Sequence, residues 1–512
     1  MSKQRVVLVI LDGWGEGAQN ETNPIYMAKP EIFPYLKQNF PSGMLQASGI
    51  SVGLPWGEEG NSEVGHLNLG SGRIIYQYYP RITLTIRDES FFENPAFKAA
   101  FDHAKKNNSA VNLIGLLGDG NVHSSIQHLN ALIEFAKKEG VSKINLHLFT
   151  DGRDSSPTSA PELLSRLPKD VNLGSISGRF YAMDRENYWD RVQKGYSVIV
   201  GEGPVAGDAE TYIKNSYTKK ITDEFINPTR VKEGCEVKEN DAVIFFNYRE
   251  DRIKELAAAF IDKNFQKFPA KKFNNVFVAT MTEYDKNLKA PVAFPTENIS
   301  NCLGKILSDA GKNQLRIAET QKYPHITYFF NGLRETPFKN EYRALIPSRP
   351  VVRQDQHPEM MAAEITSRAV ESIMENAFDF ILINYANADI IAHTGNYDAC
   401  LKAVKVIDEQ ISKIIKAVLE TDAVLLITSD HGNMEKVINE STGEAETKHD
   451  TSPVPLYMVA KKFARKRTDA EMLAATKENL GILADVSPTI LELMELPQPQ
   501  EMTGQGLLKF FS

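Results

Sequence analysis

VVLVILDGWG, residues 6–15, runs six apolar side chains from Val6 to Leu11 and then stops at Asp12. A continuous apolar run of this length reads as a strand buried on both faces. Asp12 then stands at the carboxyl end of that strand, where open α/β sheets bind their ligands. The pattern recurs in VNLIGLL (111–117), INLHLF (144–149), AVIFF (242–246), FDFILI (378–383) and AVLLIT (423–428). Between the last two, Cys400, Ala403, Val404, Ile407, Ile411, Ile414, Ile415 and Val418 recur at three- and four-residue steps. That is a helix between two buried strands. Repeats of such β-α-β units predict an α/β fold with mostly parallel sheets and helices on both faces.

At 512 residues the chain is long enough for two to four domains of roughly 100–200 residues each. Tyr76–Thr85 (YQYYPRITLT) changes character after a glycine-rich segment, and Lys289–Glu297 (KAPVAFPTE) carries prolines and no helical period. Taken as crossings, they predict an inserted α/β domain over 77–298. Residues 1–76 and 299–512 then form one discontinuous domain around it.

Lys and Arg total 58 against 66 Asp and Glu, a formal net charge of −8. Wrapping nucleic acid needs a basic field, so no nucleic-acid partner is expected. Cys235, Cys302 and Cys400 lie far apart and form no CxxC pair, which suits a reducing compartment. The Val6–Leu11 run is too short for a signal peptide, and no stretch reaches the roughly 20 apolar residues of a membrane span. A soluble cytoplasmic protein without a membrane partner is the expectation.

The candidate metal ligands all fall outside the proposed insertion. Asp12 and the pair Asp430–His431 (LLITSDHGN) follow strands. Asp389 and His393 (NADIIAHTG) follow another, and their four-residue spacing puts both on one face of a helical turn. His449 lies in the polar stretch TKHDTSPVP. Any one such Asp is more often a helix cap than a ligand. Together, Asp and His without Cys make a nitrogen and oxygen set suited to Mn, Zn or Co rather than Ca. Ser62, in GEEGNSEVGHLNLGSGR, is flanked by Gly57, Gly60 and Gly65. It reads either as a helix N-cap or as a group acceptor that needs a base or metal to activate it. Ser62 stands in no G-x-S-x-G elbow and no Walker loop.

LDGWG (11–15), GNSEVGH (60–66), HTG (393–395) and SDHGN (429–433), in this order, resemble the cofactor-independent (2,3-bisphosphoglycerate-independent) phosphoglycerate mutases. These belong to the alkaline-phosphatase-like metalloenzymes. The resemblance implies an alkaline-phosphatase-like metal domain, an inserted substrate (phosphotransferase) domain, and a monomer. It implies interconversion of 3-phosphoglycerate and 2-phosphoglycerate, in glycolysis and gluconeogenesis, without 2,3-bisphosphoglycerate. Two divalent ions are implied, Mn2+ foremost, with Mg2+, Co2+ or Zn2+ as alternatives. One ion would take Asp12, Ser62, Asp430 and His431; the other would take Asp389, His393 and His449. Ser62 would be transiently phosphorylated. Asp450 follows His449, where the family commonly has Thr.

Positive charge comes from the middle of the chain. Arg153 and Asp154 (LFTDGRDSSP) and His123 (LLGDGNV) follow strands. Arg185 and Arg191 bracket MDRENYWDR, which reads as helical, and Arg249 and Arg252 (NYREDR), three apart, are able to share a face. Arginine matches carboxylate and phosphate oxygens bidentately. The resemblance assigns all seven to substrate binding. It also matches Lys322 (AETQKYPH) to a substrate-contacting lysine, and Asp154 is expected to act as the base. A metal-dependent phosphomonoesterase or a non-catalytic binding protein are the rival readings. The first gives no reason for His123 and the Arg153–Asp154 pair, and the second would be expected to have lost a ligand.

Overall fold

The computed structural model describes residues 4–475 and 479–511. The chain forms two compact units, Met1–Gln77 with Asn298–Ser512, and Tyr78–Glu297. In chain order the strands are β1 (Val6–Leu11), β2 (Ser42–Gln46), β3 (Val111–Leu117), β4 (Ile144–Thr150), β5 (Asn172–Gly178), β6 (Thr229–Arg230), β7 (Ala242–Phe245) and β8 (Phe277–Thr282). They continue as β9 (Val292–Phe294), β10 (Gln314–Glu319), β11 (Glu341–Ile346), β12 (Phe380–Tyr385), β13 (Val424–Thr428), β14 (Val454–Val459) and β15 (Asn479–Ile482).

The first unit holds one sheet, ordered β11-β10-β12-β1-β13-β14-β2-β15. Its first five strands are mutually parallel, and β14 runs antiparallel to both its neighbours. Along β1, Val7, Val9 and Leu11 enter one apolar core, and Val6, Leu8 and Ile10 enter another on the opposite face. Both faces are therefore covered, which is why the run shows no polar alternation. The helix Tyr397–Thr421 closes the first of these cores with the apolar stripe from Cys400 to Val418. The second unit holds the sheet β6-β5-β4-β3-β7-β8-β9, parallel except for β6.

Three local readings shift. The strand expected from Phe378 begins at Phe380, because the Asp379 carboxylate turns back to accept the Asn313 amide at 2.9 Å. MDRENYWDR is not helical throughout. The helix starts at Trp189, and Arg185 lies before it. Here Asp184 accepts the backbone amides of Glu186 and Tyr188, both at 2.9 Å, a local pairing that competes with the helix. Arg249 and Arg252 sit in the turn ahead of the helix Lys254–Ile261, so no helical face carries them. Among the described residues no helix is long and apolar enough to cross a membrane.

Leu382, fully buried in β12 between β10 and β1, tests the core. Leu382→Ala should cost about 2–5 kcal/mol. The readout is a lower urea midpoint for hydrogen exchange in peptides covering β1 and β12.

Candidate active site

In the first unit, four parallel strands end side by side, and each delivers polar residues just past its last apolar one. Asp12 follows β1, Lys322 follows β10, Asp389 and His393 follow β12, and Asp430 and His431 follow β13. Gly13 turns the chain at φ +74, and a Cβ there would lie 2.7 Å from the Asp389 Cα. Glycine thus lets the loops after β1 and β12 touch. Ser62 opens the helix Ser62–Ser71, but the cap is Asn61, whose side chain accepts the Val64 amide. That leaves the Ser62 hydroxyl free of capping. Gly65 lets this helix press against Asp430, whose carbonyl oxygen would stand 2.4 Å from an added Cβ.

The side chains converge on Ser62. Its Oγ donates to Asp12 Oδ1 at 3.1 Å, lies 3.0 Å from His431 Nε2 and accepts from Lys322 Nζ at 2.8 Å. Lys322 also donates to Asp12 Oδ1 at 2.6 Å and to Asp389 Oδ2 at 2.7 Å. Asp389 Oδ1 faces His393 Nε2 at 3.1 Å and His449 Nε2 at 3.2 Å. Two groups have the composition and convergence of ion sites: Asp12, Asp430 and His431, and Asp389, His393 and His449.

The histidine tautomers fit a cation. The Nδ1 atoms of His393, His431 and His449 lie against the carbonyls of Thr447 (2.7 Å), Gly432 (3.2 Å) and Gly60 (2.8 Å). A carbonyl only accepts, so each Nδ1 carries hydrogen and each Nε2 faces inward, where it takes either a proton or a cation. The Nε2 atoms of His393 and His449 are then 3.0 Å apart, both beside Asp389 Oδ1. Three acceptors this close need a proton or a cation among them. Asp430 Oδ2 is also buried without an aligned hydrogen bond.

Charge follows the same logic. Burial pushes the Asp12 and Asp389 carboxyls up, but Lys322 and the histidines outweigh it and hold both well below the usual range. Burial and the Asp12 charge push Asp430 up, and His431 and His66 still leave it lowered. Burial lowers His431, yet Asp430, Asp12 and Asp389 carry it to about 10. Asp450 turns away from this centre. It pairs with Lys436 at 3.0 Å and accepts from Ser452, so the carboxylate beside His449 does not join the ligand groups.

In the second unit, the loops after β3, β4, β5 and β7 gather at one sheet edge. Arg179, buried, donates to Asp151 Oδ1 and Asp154 Oδ2, both at 2.5 Å. His123 Nε2 lies 3.8 Å from Asp154 Oδ2, and its Nδ1 lies 3.5 Å from Asp251 Oδ1. Arg185 (3.1 Å) and Arg249 (3.5 Å) also meet Asp251. Burial, then Arg179, pulls His123 down to about 4, so it is neutral at pH 7. Burial followed by Arg185, Arg179 and Arg153 lowers Arg252, the mark of crowded positive charge. Arg153 reaches Glu224 at 3.6 Å. Arg191 pairs with Asp184 and stacks on Phe180 and Tyr188.

Sequence reasoning passed over Arg179, Asp251, His66 and Asn384. Arg179 obeys the rule that picked out Arg153, standing first after a buried strand. Asn384 is a polar residue inside an apolar run, and His66 stands four residues beyond Ser62 on one helix.

An α/β sheet with two nitrogen- and oxygen-type ligand groups around a lysine-bonded serine has the composition of a metal-assisted group-transfer site. The comparisons narrow this. The family model described as BPG-independent PGAM N-terminus matches residues 82–286. A 2,3-bisphosphoglycerate-independent phosphoglycerate mutase from Clostridium botulinum is 46% identical, with 99% of this chain and 100% of that protein covered. One from Ectopseudomonas mendocina is 44% identical, with 98% of each covered. The solved structure of a Leishmania mexicana phosphoglycerate mutase, at low cobalt concentration, is 28% identical with TM-score 0.53, covering 99% of this chain and 98% of that one. The chain belongs to the 2,3-bisphosphoglycerate-independent phosphoglycerate mutase family, and is an isomerase.

Kept free of divalent ions, the protein should lose stability as pH rises from about 6.5, the unfolded histidine value, toward 10, because the raised His431 loses its proton there. The depressed Asp12, Asp389 and Asp430 act oppositely, losing their contribution as pH falls below about 4. Melting temperatures across pH 7–10 (roughly that window) should fall in the wild type and flatten in His431→Gln.

Proposed function

We propose that the protein interconverts 3-phosphoglycerate and 2-phosphoglycerate through a phosphoserine at Ser62, with two divalent ions and no 2,3-bisphosphoglycerate. The observation that carries this reading is the convergence of Asp12, His431 and Lys322 on the uncapped Ser62 hydroxyl. Asp12, Ser62, Asp430 and His431 would hold one ion, and Asp389, His393 and His449 the other. Ions there would lower the serine pKa and neutralise phosphoryl oxygens. The donor set suits Mn2+, with Co2+, Zn2+ or Mg2+ as alternatives.

The residues divide the work. Ser62, its proton given up to water, attacks phosphorus, and the bond from phosphorus to the glycerate oxygen breaks. Lys322, whose Nζ lies 2.8 Å from the Ser62 Oγ, would offset charge on the transferring group. The start of the helix Ser62–Ser71 favours the resulting phosphoserine dianion. His123, Arg153, Arg185, Arg191, Arg249 and Arg252 would bind glycerate through its carboxylate and hydroxyls. Asp154, held by Arg179, gives a proton to the departing oxygen and removes one from the receiving hydroxyl. Return of the phosphoryl group to the other oxygen completes the isomerisation. A glycerate that escaped would leave phosphoserine to water, and the product would be free phosphate. Such a reaction would serve glycolysis and gluconeogenesis.

The test supplies metal-stripped protein with 3-phosphoglycerate and Mn2+, without 2,3-bisphosphoglycerate, and follows 2-phosphoglycerate and free phosphate together. Mn2+-dependent 2-phosphoglycerate with little phosphate is expected; phosphate alone would overturn the mutase reading. Ser62→Ala should abolish turnover, and near-full activity would refute the phosphoserine. Asp154→Asn should lower kcat by about 10^2–10^4-fold, the usual worth of a general base, with KM changing less. Ligand histidines must be unprotonated to bind metal, and His431 is carried to about 10 without one, so at limiting Mn2+ activity should fall as pH drops below that value and recover with excess Mn2+.

A further inference from the structure

Behind the Ser62 centre lies a buried hydrogen-bonded chain that the reaction above does not use. His66 and Asn384 are both fully buried. The His66 Nδ1 lies 2.8 Å from the Ser62 carbonyl oxygen. That oxygen only accepts, so Nδ1 carries the hydrogen and Nε2 presents its lone pair. Asn384 Nδ2 stands 3.0 Å from this Nε2 and 2.8 Å from Asp12 Oδ2. A carboxylate needs a donor, so this atom is the amide nitrogen, and its two hydrogens serve both partners. The chain is therefore directional: Asn384 donates to Asp12 and to His66, and His66 donates to the backbone of Ser62.

Its geometry sorts the oxygens of Asp12. Asn384 holds Oδ2 on the outer side, while Oδ1 faces Ser62 Oγ, Lys322 and, at 3.6 Å, His431 Nε2. The His66 ring also stands 3.1 Å from Asp430 Oδ2, the buried oxygen without an aligned hydrogen bond. His66 and Asn384 thus touch Asp12, Ser62 and Asp430. Neither is hydrogen-bonded to Asp389, His393 or His449, which contact one another, Asn433, Lys322, backbone carbonyls and, at 3.8 Å from Asp389 Oδ1, His431 Nε2.

We propose that His66 and Asn384 are positioning residues that build only one of the two ion sites, by fixing the outer oxygen of Asp12 and the backbone of Ser62. This rests on the two-ion reading of the proposed function. A general structural role would weaken both sites or neither, whereas a brace on one ligand group weakens one. Losing such outer partners of metal ligands commonly lowers metal affinity about 10–100-fold.

The test titrates Mn2+ into the metal-stripped full chain and counts free ion by electron paramagnetic resonance. His431→Ala and His449→Ala mark which binding constant belongs to which site. His66→Ala should weaken by about 10–100-fold the constant that His431→Ala removes, and spare the other. Asn384→Ala should do the same, and the double variant should lose less than the sum of the two, because one chain is cut twice. His66→Asn places an amide nitrogen where Nδ1 stands, keeps the bond to the Ser62 carbonyl and should recover part of the affinity. It also tests the brace if the alanine variant fails to fold. Equal weakening of both sites, or of neither, overturns the brace while leaving two-ion binding intact. A wild type that binds fewer than two Mn2+ overturns the two-ion reading and the brace with it.

Discussion

Three carboxylates, Asp12, Asp389 and Asp430, are buried together at one sheet edge, and nothing in a protein interior tolerates that without compensating positive charge. Much of the first unit follows from this constraint. Lys322, itself buried, donates to two of the three and to Ser62. The histidines bring nitrogens that take a proton or a metal ion. Backbone carbonyls of Gly60, Gly432 and Thr447 hold those rings with their free nitrogens inward. The five adjacent parallel strands matter because they end on one side, so that four separated segments of chain deliver charge to one place. An antiparallel sheet would have sent half of those ends to the opposite edge.

The second unit solves the inverse problem. The chain carries a net charge of −8, yet arginines crowd at the ends of β3, β4, β5 and β7. Burial, and after it their mutual repulsion, lowers Arg252. Asp251 and Asp154 keep the cluster together, the first meeting His123, Arg185 and Arg249 and the second held by Arg179. Carboxylate partners of this kind are exchangeable for those of a small anionic substrate. That exchange is what the proposed binding of glycerate would require.

How far the sequence could be read depended on the range of the forces involved. The central strands β1, β3, β4, β7, β12 and β13 were legible because burial on two faces forces an uninterrupted apolar run, and β1, β3 and β13 lie where those runs lie. The Asp389–His393 spacing was legible for a similar reason: a helical turn is local. Reading failed where a side chain rewrote its own neighbourhood. Asp184 bonded two amides ahead of it and delayed the helix to Trp189. Asn61 took the capping role that Ser62 was equally able to fill.

The sequence by itself determined the α/β class, the strand-end placement of the acidic, histidine and arginine residues, and, through four ordered motifs, the family. Those properties are local, since hydrophobic period and residue type are written in consecutive positions. Only the tertiary structure decided that Lys322 reaches Ser62 across 260 residues, that Asp450 faces Lys436 rather than the ligand groups, and that His66 and Asn384 join Ser62 to Asp12. A hydrogen bond reads distance and direction in space, and neither is set by separation along the chain until the strands are ordered in the sheet.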